Sequence, residues 1–164
     1  MTVDAFNVLP DEEADARLRA CLPVGRWVET VRNGRPYAGW PALEGTARGA
    51  AGELSDDELA RALAGHPRIG ERASGPDHEP ELSRREQSGV DSSDEEVTRA
   101  LAEGNAAYEK RFDRVFLIRA AGRSADEILQ ELRRRLGNDD ETEREETVTQ
   151  LREIALLRLR QVVS

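Results

Sequence analysis

The chain has 164 residues, of which 38% are hydrophobic and 35% charged, and its formal net charge is −9. This length suits one domain with one core, and the longest apolar runs fall far short of the roughly 20 residues that cross a bilayer. The negative charge opposes non-specific nucleic-acid binding, which needs a basic surface. We therefore expect a single domain over residues 1–164 with neither a nucleic-acid nor a membrane partner.

Cysteine and histidine are scarce. Cys21 is the only cysteine, which rules out an intrachain disulfide and favours a cytoplasmic location. One cysteine and two histidines cannot supply the usual zinc ligands, and no loop has the pattern of a carboxylate metal site. We expect no metal site. The stretch "MTVDAFNVLPDEE" lacks a basic region followed by an apolar one, so no secretory leader is expected.

Apolar residues recur at three- and four-residue intervals and alternation with a period of two is nearly absent, which predicts an all-α bundle of about eight helices. A serine followed three residues later by glutamate is typical of a capped helix start. This pair occurs at Ser55/Glu58, Ser83/Glu86, Ser93/Glu96 and Ser124/Glu127. The predicted helices are 11–21, 25–33, 39–51, 56–64, 84–89, 94–112, 125–136 and 140–162.

Glycines stand at three of the predicted helix ends. Gly34, Gly65 and Gly137 follow the last helical residues, where a residue that tolerates positive φ is favoured. We expect these glycines to end their helices.

His66 lies in "AGHPRIGE", residues 64 to 71, directly after a predicted helix. Pro67 restricts the backbone of His66 to an extended conformation and so fixes its direction. An imidazole, with an ordinary pKa of about 6.5, suits proton transfer near neutral pH. By local pattern alone, a histidine that caps the helix is the commoner case. The stretch 67–81 that follows has no apolar periodicity, and His78 within it is expected to be solvated.

The short stretch "SRREQ", residues 83 to 87, carries a carboxylate and an amide close to the histidine in sequence. Glu86 and Gln87 could therefore act with His66. The pattern alone favours a capped helix start, because Ser83 and Glu86 have the same spacing as the other capping pairs.

The stretch 105–124 combines a helix with a short apolar segment. Asn105, Tyr108 and Phe112 share one helical face, which is typical of core packing. The following "VFLIRAAG" is apolar and short, and could be a buried turn whose backbone groups contact a ligand.

Arg158 interrupts the apolar stripe of the last helix. At about 100° per residue, Arg158 falls on the face of Leu151 and Ile154, with Ala155 and Val162, whereas Arg160 points the opposite way. A buried guanidinium keeps its charge and needs an anion or several acceptors. A structural ion pair and a substrate anion are equally open at this point.

Taken in order, "HPRIG", "SRREQSG", "NAAYEKRFDRVFLIRAAGRSADEIL", "RLGNDDETE" and "REIALLRLRQVV" resemble the 2-oxo-4-hydroxy-4-carboxy-5-ureidoimidazoline (OHCU) decarboxylases of urate catabolism. The resemblance continues upstream through Trp27 and "RPY" at 35–37, and so covers nearly the whole chain. It implies an all-α, cofactor-free enzyme, usually a homodimer, that converts OHCU to (S)-allantoin and CO2.

The resemblance also implies roles for individual residues. His66 would be the catalytic histidine and Glu86 its supporting carboxylate. The substrate-binding residues would be Pro67, Ser83, Gln87, Leu117, Ile118, Arg119 and Arg158, with the backbone at 117–119 bonded to the substrate's ring or ureido group. In one departure, Asp113 stands where the family often has glycine.

Two other functions are compatible with the same residues. One is a decarboxylase of a different ureido or imidazoline compound. The other is a non-catalytic helical binding module that kept the scaffold. Loss of His66 or Glu86 would indicate the binding module, and both residues are present.

Overall fold

The computed structural model describes residues 1–69 and 95–163, which form helices and no strand. The helices of these residues are α1 (Val3–Asn7), α2 (Asp11–Cys21), α3 (Gly25–Asn33), α4 (Trp40–Ala50), α5 (Asp56–Ala64), α6 (Glu95–Phe112), α7 (Ala125–Arg135) and α8 (Asp140–Val162). The predicted all-α fold class is confirmed. In the described ranges, no helix combines the length and the apolar character that a bilayer span requires.

The predicted helix boundaries are accurate. Helices α2, α3, α5 and α8 begin and end at the predicted residues, α6 and α7 differ by one residue at one end, and α4 differs by one residue at each end. The predicted helix 84–89 lies outside the described residues. Helix α1 was not predicted. It forms because the Thr2 hydroxyl accepts a hydrogen bond from the Ala5 amide at 3.1 Å and because Phe6 is fully buried.

Two of the four predicted capping pairs lie in the described residues, and both are confirmed. The Glu58 amide donates to Ser55 Oγ at 3.1 Å, and the Ser55 amide donates to Glu58 Oε1 at 3.0 Å. At the start of α7, Ser124 Oγ accepts from the Glu127 amide at 3.1 Å. Each bond satisfies an amide that the first helical turn leaves without a partner.

The described contacts divide the chain into two compact units, Met1–Ala62 with Arg152–Ser164, and Leu63–Leu151. In the first unit, α3 packs against both α2 and α4. Trp27 is fully buried there, and its indole Nε1 donates to the Ala47 carbonyl at 2.9 Å. This bond satisfies the one polar atom of a large apolar side chain.

The second unit is built around α6 and α7, which pack against each other. Its core contains Ile69, Leu101, Tyr108, Phe112, Phe116, Ile118, Ala120, Ile128, Leu129 and Leu132. Gly104 allows the close approach of the two helices, since a Cβ at this position would lie 2.5 Å from Leu132 Cδ2.

The predicted reason for glycine at the helix ends, a backbone with positive φ, is wrong for Gly34 and Gly137. Gly34 follows α3 with φ −74°, a right-handed conformation, and Gly137 has no positive φ either. Gly34 is instead required for space, because a Cβ there would lie 2.1 Å from Tyr37 Oη. The Tyr37 hydroxyl donates to the Val31 carbonyl at 2.6 Å, which holds the ring in place.

This steric requirement gives a paired prediction. Gly34→Ala should lower the free energy of unfolding by about 1–3 kcal/mol, because the buried Tyr37 ring has to move. Gly45→Ala, in α4, should raise it by about 0.5–1 kcal/mol, because glycine weakens a helix interior and an added Cβ meets no atom within 4 Å. Urea unfolding of both variants checks this, and equal effects would contradict it.

Candidate active site

His66 lies just beyond the end of α5. Its amide donates to the Leu63 carbonyl at 3.0 Å, which continues the last helical turn. Both His66 and Pro67 are half-buried. A folded turn therefore holds His66 in place, while part of the residue remains accessible to solvent. This setting suits a proton-transfer group.

The residues after Pro67 are anchored to α6. Arg68 Nε and Nη2 donate to the two carboxylate oxygens of Glu109, at 2.6 and 3.1 Å. Ile69 is buried in the core of the second unit, and its carbonyl accepts from Asn105 Nδ2 at 3.5 Å. An ion pair and a buried side chain together hold the segment that carries His66.

The chain leaves α6 through a left-handed residue. Asp113 has φ 55°, and its amide donates to the Glu109 carbonyl at 2.9 Å. Aspartate is one of the few residues other than glycine that adopts this conformation readily. Asp113 therefore makes the turn for which the resembling family often has glycine.

Residues 115–120 form a non-helical stretch in which Phe116, Leu117, Ile118 and Ala120 are buried and Arg119 is exposed. The prediction of a short buried segment here is confirmed. Ile118 packs in the same core as Ile69. The fold therefore brings the His66 segment and the 117–119 segment, about fifty residues apart in sequence, onto one core.

The sequence analysis missed a buried ion pair that supports this stretch. Arg135 and Glu143 are 1% and 0% exposed. Arg135 Nε donates to Glu143 Oε1 at 2.7 Å, and Arg135 Nη1 donates to the Leu117 carbonyl at 2.7 Å. The guanidinium also lies 4.6 Å from the centre of the Phe116 ring. One buried cation thus fixes both a carboxylate and the backbone of the 115–120 stretch.

A signal for this pair was present in the sequence. Ile128, Leu132 and Arg135 share one face of α7, so Arg135 interrupts an apolar stripe just as Arg158 does in α8. The same rule that singled out Arg158 identifies Arg135.

Tyr108 also binds the Glu143 carboxylate. It is fully buried, and its hydroxyl donates to Glu143 Oε1 at 2.7 Å. Burial, followed by the effect of Glu143, raises the pKa of Tyr108 to about 12. The phenol therefore keeps its proton and remains a hydrogen-bond donor at any physiological pH.

Arg158 is buried, as predicted, with 3% of its surface exposed. Leu151, Ile154 and Ala155 of the predicted stripe are also buried. Arg160 is exposed and lies over the Trp40 ring at 4.5 Å. Of the other predicted site residues, Ser83, Glu86 and Gln87 lie outside the described residues, as does His78, so their roles stay predictions.

The family model of OHCU decarboxylases matches residues 7–160. The chain belongs to the OHCU decarboxylase family. A curated relative, the uric acid degradation bifunctional protein of Bacillus sp. (strain TB-90), is 24% identical over 163 residues, which are 99% of this chain and 32% of the relative. The chain thus spans less than half the length of that relative.

Two solved structures share the fold of this OHCU decarboxylase family member. A crystal structure of an OHCU decarboxylase in the presence of (S)-allantoin has a TM-score of 0.73 at 22% identity, covering 94% of this chain and 98% of its own. A crystal structure of an (S)-allantoin synthase has a TM-score of 0.75 at 16% identity, covering 99% of this chain and 54% of its own.

The buried pair gives a stability prediction. Arg135→Met should lower the free energy of unfolding by about 3–5 kcal/mol, because it leaves the Glu143 carboxylate buried without its cation. The double variant Arg135→Met/Glu143→Leu should regain at least half of that loss, because no charge remains buried. Chemical denaturation of the three proteins measures this. A double variant less stable than Arg135→Met would contradict the explanation.

Proposed function

We propose that this protein converts OHCU to (S)-allantoin and CO2 in uric acid degradation. The observation that carries the proposal is the family match over residues 7–160, which includes His66. The fold shared with the OHCU decarboxylase solved in the presence of (S)-allantoin supports it. We further propose that residues 1–164 act as one decarboxylase domain, as a cytoplasmic homodimer that needs no cofactor.

The chemistry of the substrate fits such a site. OHCU carries a hydroxyl and a carboxylate on one ring carbon, beside a C=N bond. When the bond to the carboxylate breaks, its electron pair moves into the C=N bond and CO2 leaves. The substrate thus provides its own electron sink, a task that otherwise falls to pyridoxal or thiamine. The protein has to orient the breaking bond, stabilise the enediol-like intermediate and protonate the neighbouring carbon from one face.

His66 is proposed to carry the proton. An imidazole can accept the hydroxyl proton or deliver the new proton to carbon, because histidine is the side chain whose charge changes most readily near neutral pH. Glu86 is proposed to bond to the imidazole, which would set its tautomer and raise its pKa. The anchoring of Arg68 and Ile69 to α6 supports a fixed position for His66.

Arg158 is proposed to stabilise the transition state. A clamp on the departing carboxylate would favour the ground state, because that charge disappears as CO2 forms. We therefore assign Arg158 to a ring or ureido carbonyl, where negative charge grows during the reaction. The remaining proposed binding groups are Ser83, Gln87 and the backbone at 117–119, with Pro67 directing His66.

The function is tested by mixing the protein with urate, urate oxidase and hydroxyisourate hydrolase and following allantoin by circular dichroism. Accelerated formation of one enantiomer is expected from the unchanged protein. A racemic product at the spontaneous rate would reject the proposal. It would favour a different substrate or a binding module.

His66→Asn should fold normally and lose about 10²–10⁴-fold in rate, since a positioned acid–base group contributes about that factor. His78→Asn is the matched control and should retain the unchanged activity. The coupled assay measures both variants, with far-ultraviolet circular dichroism as the check on folding. A fully active His66→Asn protein would remove His66 from the mechanism.

Arg158→Ala should lower kcat about 100-fold, the effect of removing one charge-stabilising donor. Arg160→Ala, on the exposed side of the same helix, is the control and should leave kcat unchanged. Steady-state kinetics separates the possibilities. If Arg158→Ala raised KM alone, Arg158 would serve only ground-state binding.

A further inference from the structure

We propose that Gln150 is a positioning residue for the 117–119 segment. Its side-chain oxygen fixes the backbone that binds the ring or ureido group of the substrate. The inference rests on the proposed function, because that function assigns substrate binding to this segment. It adds a residue that neither the family resemblance nor the sequence pattern singled out.

The direct observation is one hydrogen bond. The backbone amide of Arg119 donates to Gln150 Oε1 at 2.9 Å, across 31 residues of sequence. The Arg119 side chain is exposed, so Gln150 does not serve to bury or neutralise it. The bond acts on the backbone alone.

Gln150 belongs to one polar face of α8. Glu143, Thr147 and Gln150 are spaced at i, i+4 and i+7, which places them on the same side of a helix. Glu143 and Thr147 are fully buried and both contact Arg135. Through Arg135, this face also reaches the Leu117 carbonyl at 2.7 Å. The 117–119 segment is thus held at one end by Arg135 of α7, which this face of α8 contacts, and at the other end by Gln150 of α8.

The two anchors take up two backbone groups of the segment. The Leu117 carbonyl accepts from Arg135 of α7, and the Arg119 amide donates to Gln150 of α8. Neither bond uses the N–H or the C=O of Ile118, which are one donor and one acceptor on the same residue. A ureido or lactam group offers the complementary acceptor and donor.

A third contact occupies the remaining backbone group of Arg119. The Arg119 carbonyl accepts from Arg123 Nε at 3.0 Å, and this bond does not involve Ile118. The protein itself thus engages the Leu117 carbonyl and both backbone groups of Arg119. Within the segment, substrate binding then falls to the Ile118 peptide groups and the Leu117 amide.

Gln150 is the anchor best suited to a functional test. Arg135 is fully buried, and its removal is expected to affect folding, whereas Gln150 is only half-buried. Gln150→Met keeps the length and the helix propensity of the side chain but removes the accepting oxygen. Gln130→Met, at an exposed position of α7, is the matched control.

The experiment combines steady-state kinetics with amide hydrogen exchange. Gln150→Met should raise KM for OHCU about fivefold, the effect of one hydrogen bond. It should change kcat less than about twofold, because a backbone contact that only holds the substrate in place is made in both the ground and transition states, unlike the contact of Arg158 with the carbonyl on which charge grows. The Arg119 amide should exchange faster, while the melting temperature stays close to that of the unchanged protein. Gln130→Met should match the unchanged protein in all three measurements.

The outcomes separate this inference from the proposed function. If the unchanged protein does not accelerate OHCU decarboxylation, the proposed function fails and the inference falls with it. If the unchanged protein is active but Gln150→Met keeps its KM, Gln150 positions nothing that binds substrate. A loss confined to melting temperature would make Gln150 a purely structural residue and would also overturn the inference.

Discussion

The arrangement of the second unit depends on one buried ion pair, between Arg135 and Glu143. Moving two charged groups out of water into a protein core costs several kcal/mol per ion. A protein with two apolar side chains of similar volume in place of the ion pair is often as stable. The pair therefore contributes orientation more than stability. Its atoms are bonded to the Tyr108 hydroxyl and to the Leu117 carbonyl, so each partner stays in a single geometry. The ion pair thereby fixes Tyr108 of α6, the Glu143 carboxylate and the 115–120 stretch relative to one another.

That fixed geometry matters because residues 115–120 have no helix of their own. Buried backbone groups need partners, and here side chains of α7 and α8 provide them. Ile118 and Ile69 then join this stretch to the segment that carries His66 through a common core. In the proposed mechanism, the proton-transfer group and a substrate-binding backbone would share one rigid support. Asp113 contributes by turning the chain out of α6 in the left-handed region.

Membership of the OHCU decarboxylase family rests on a match along residues 7–160, and the solved structures of similar fold are less than 25% identical to this chain. At such identities, the helical scaffold is kept while most side chains change. The residues that maintain the geometry of the site therefore have to be found from the contacts of this chain itself. Arg135 and Gln150 were found in that way, and each acts on backbone atoms of residues far away in sequence.

The sequence by itself determined the described helices after α1 and the anomaly at Arg158, because periodicity and capping are local properties of neighbouring residues. Helices α2, α3, α5 and α8 have the predicted ends, and Arg158 is buried within its stripe. Only the tertiary structure decided the partners of Arg135 and the contact of Gln150 with Arg119. These are contacts between residues whose separation in sequence carries no periodic signal, so they exist only once the helices have packed.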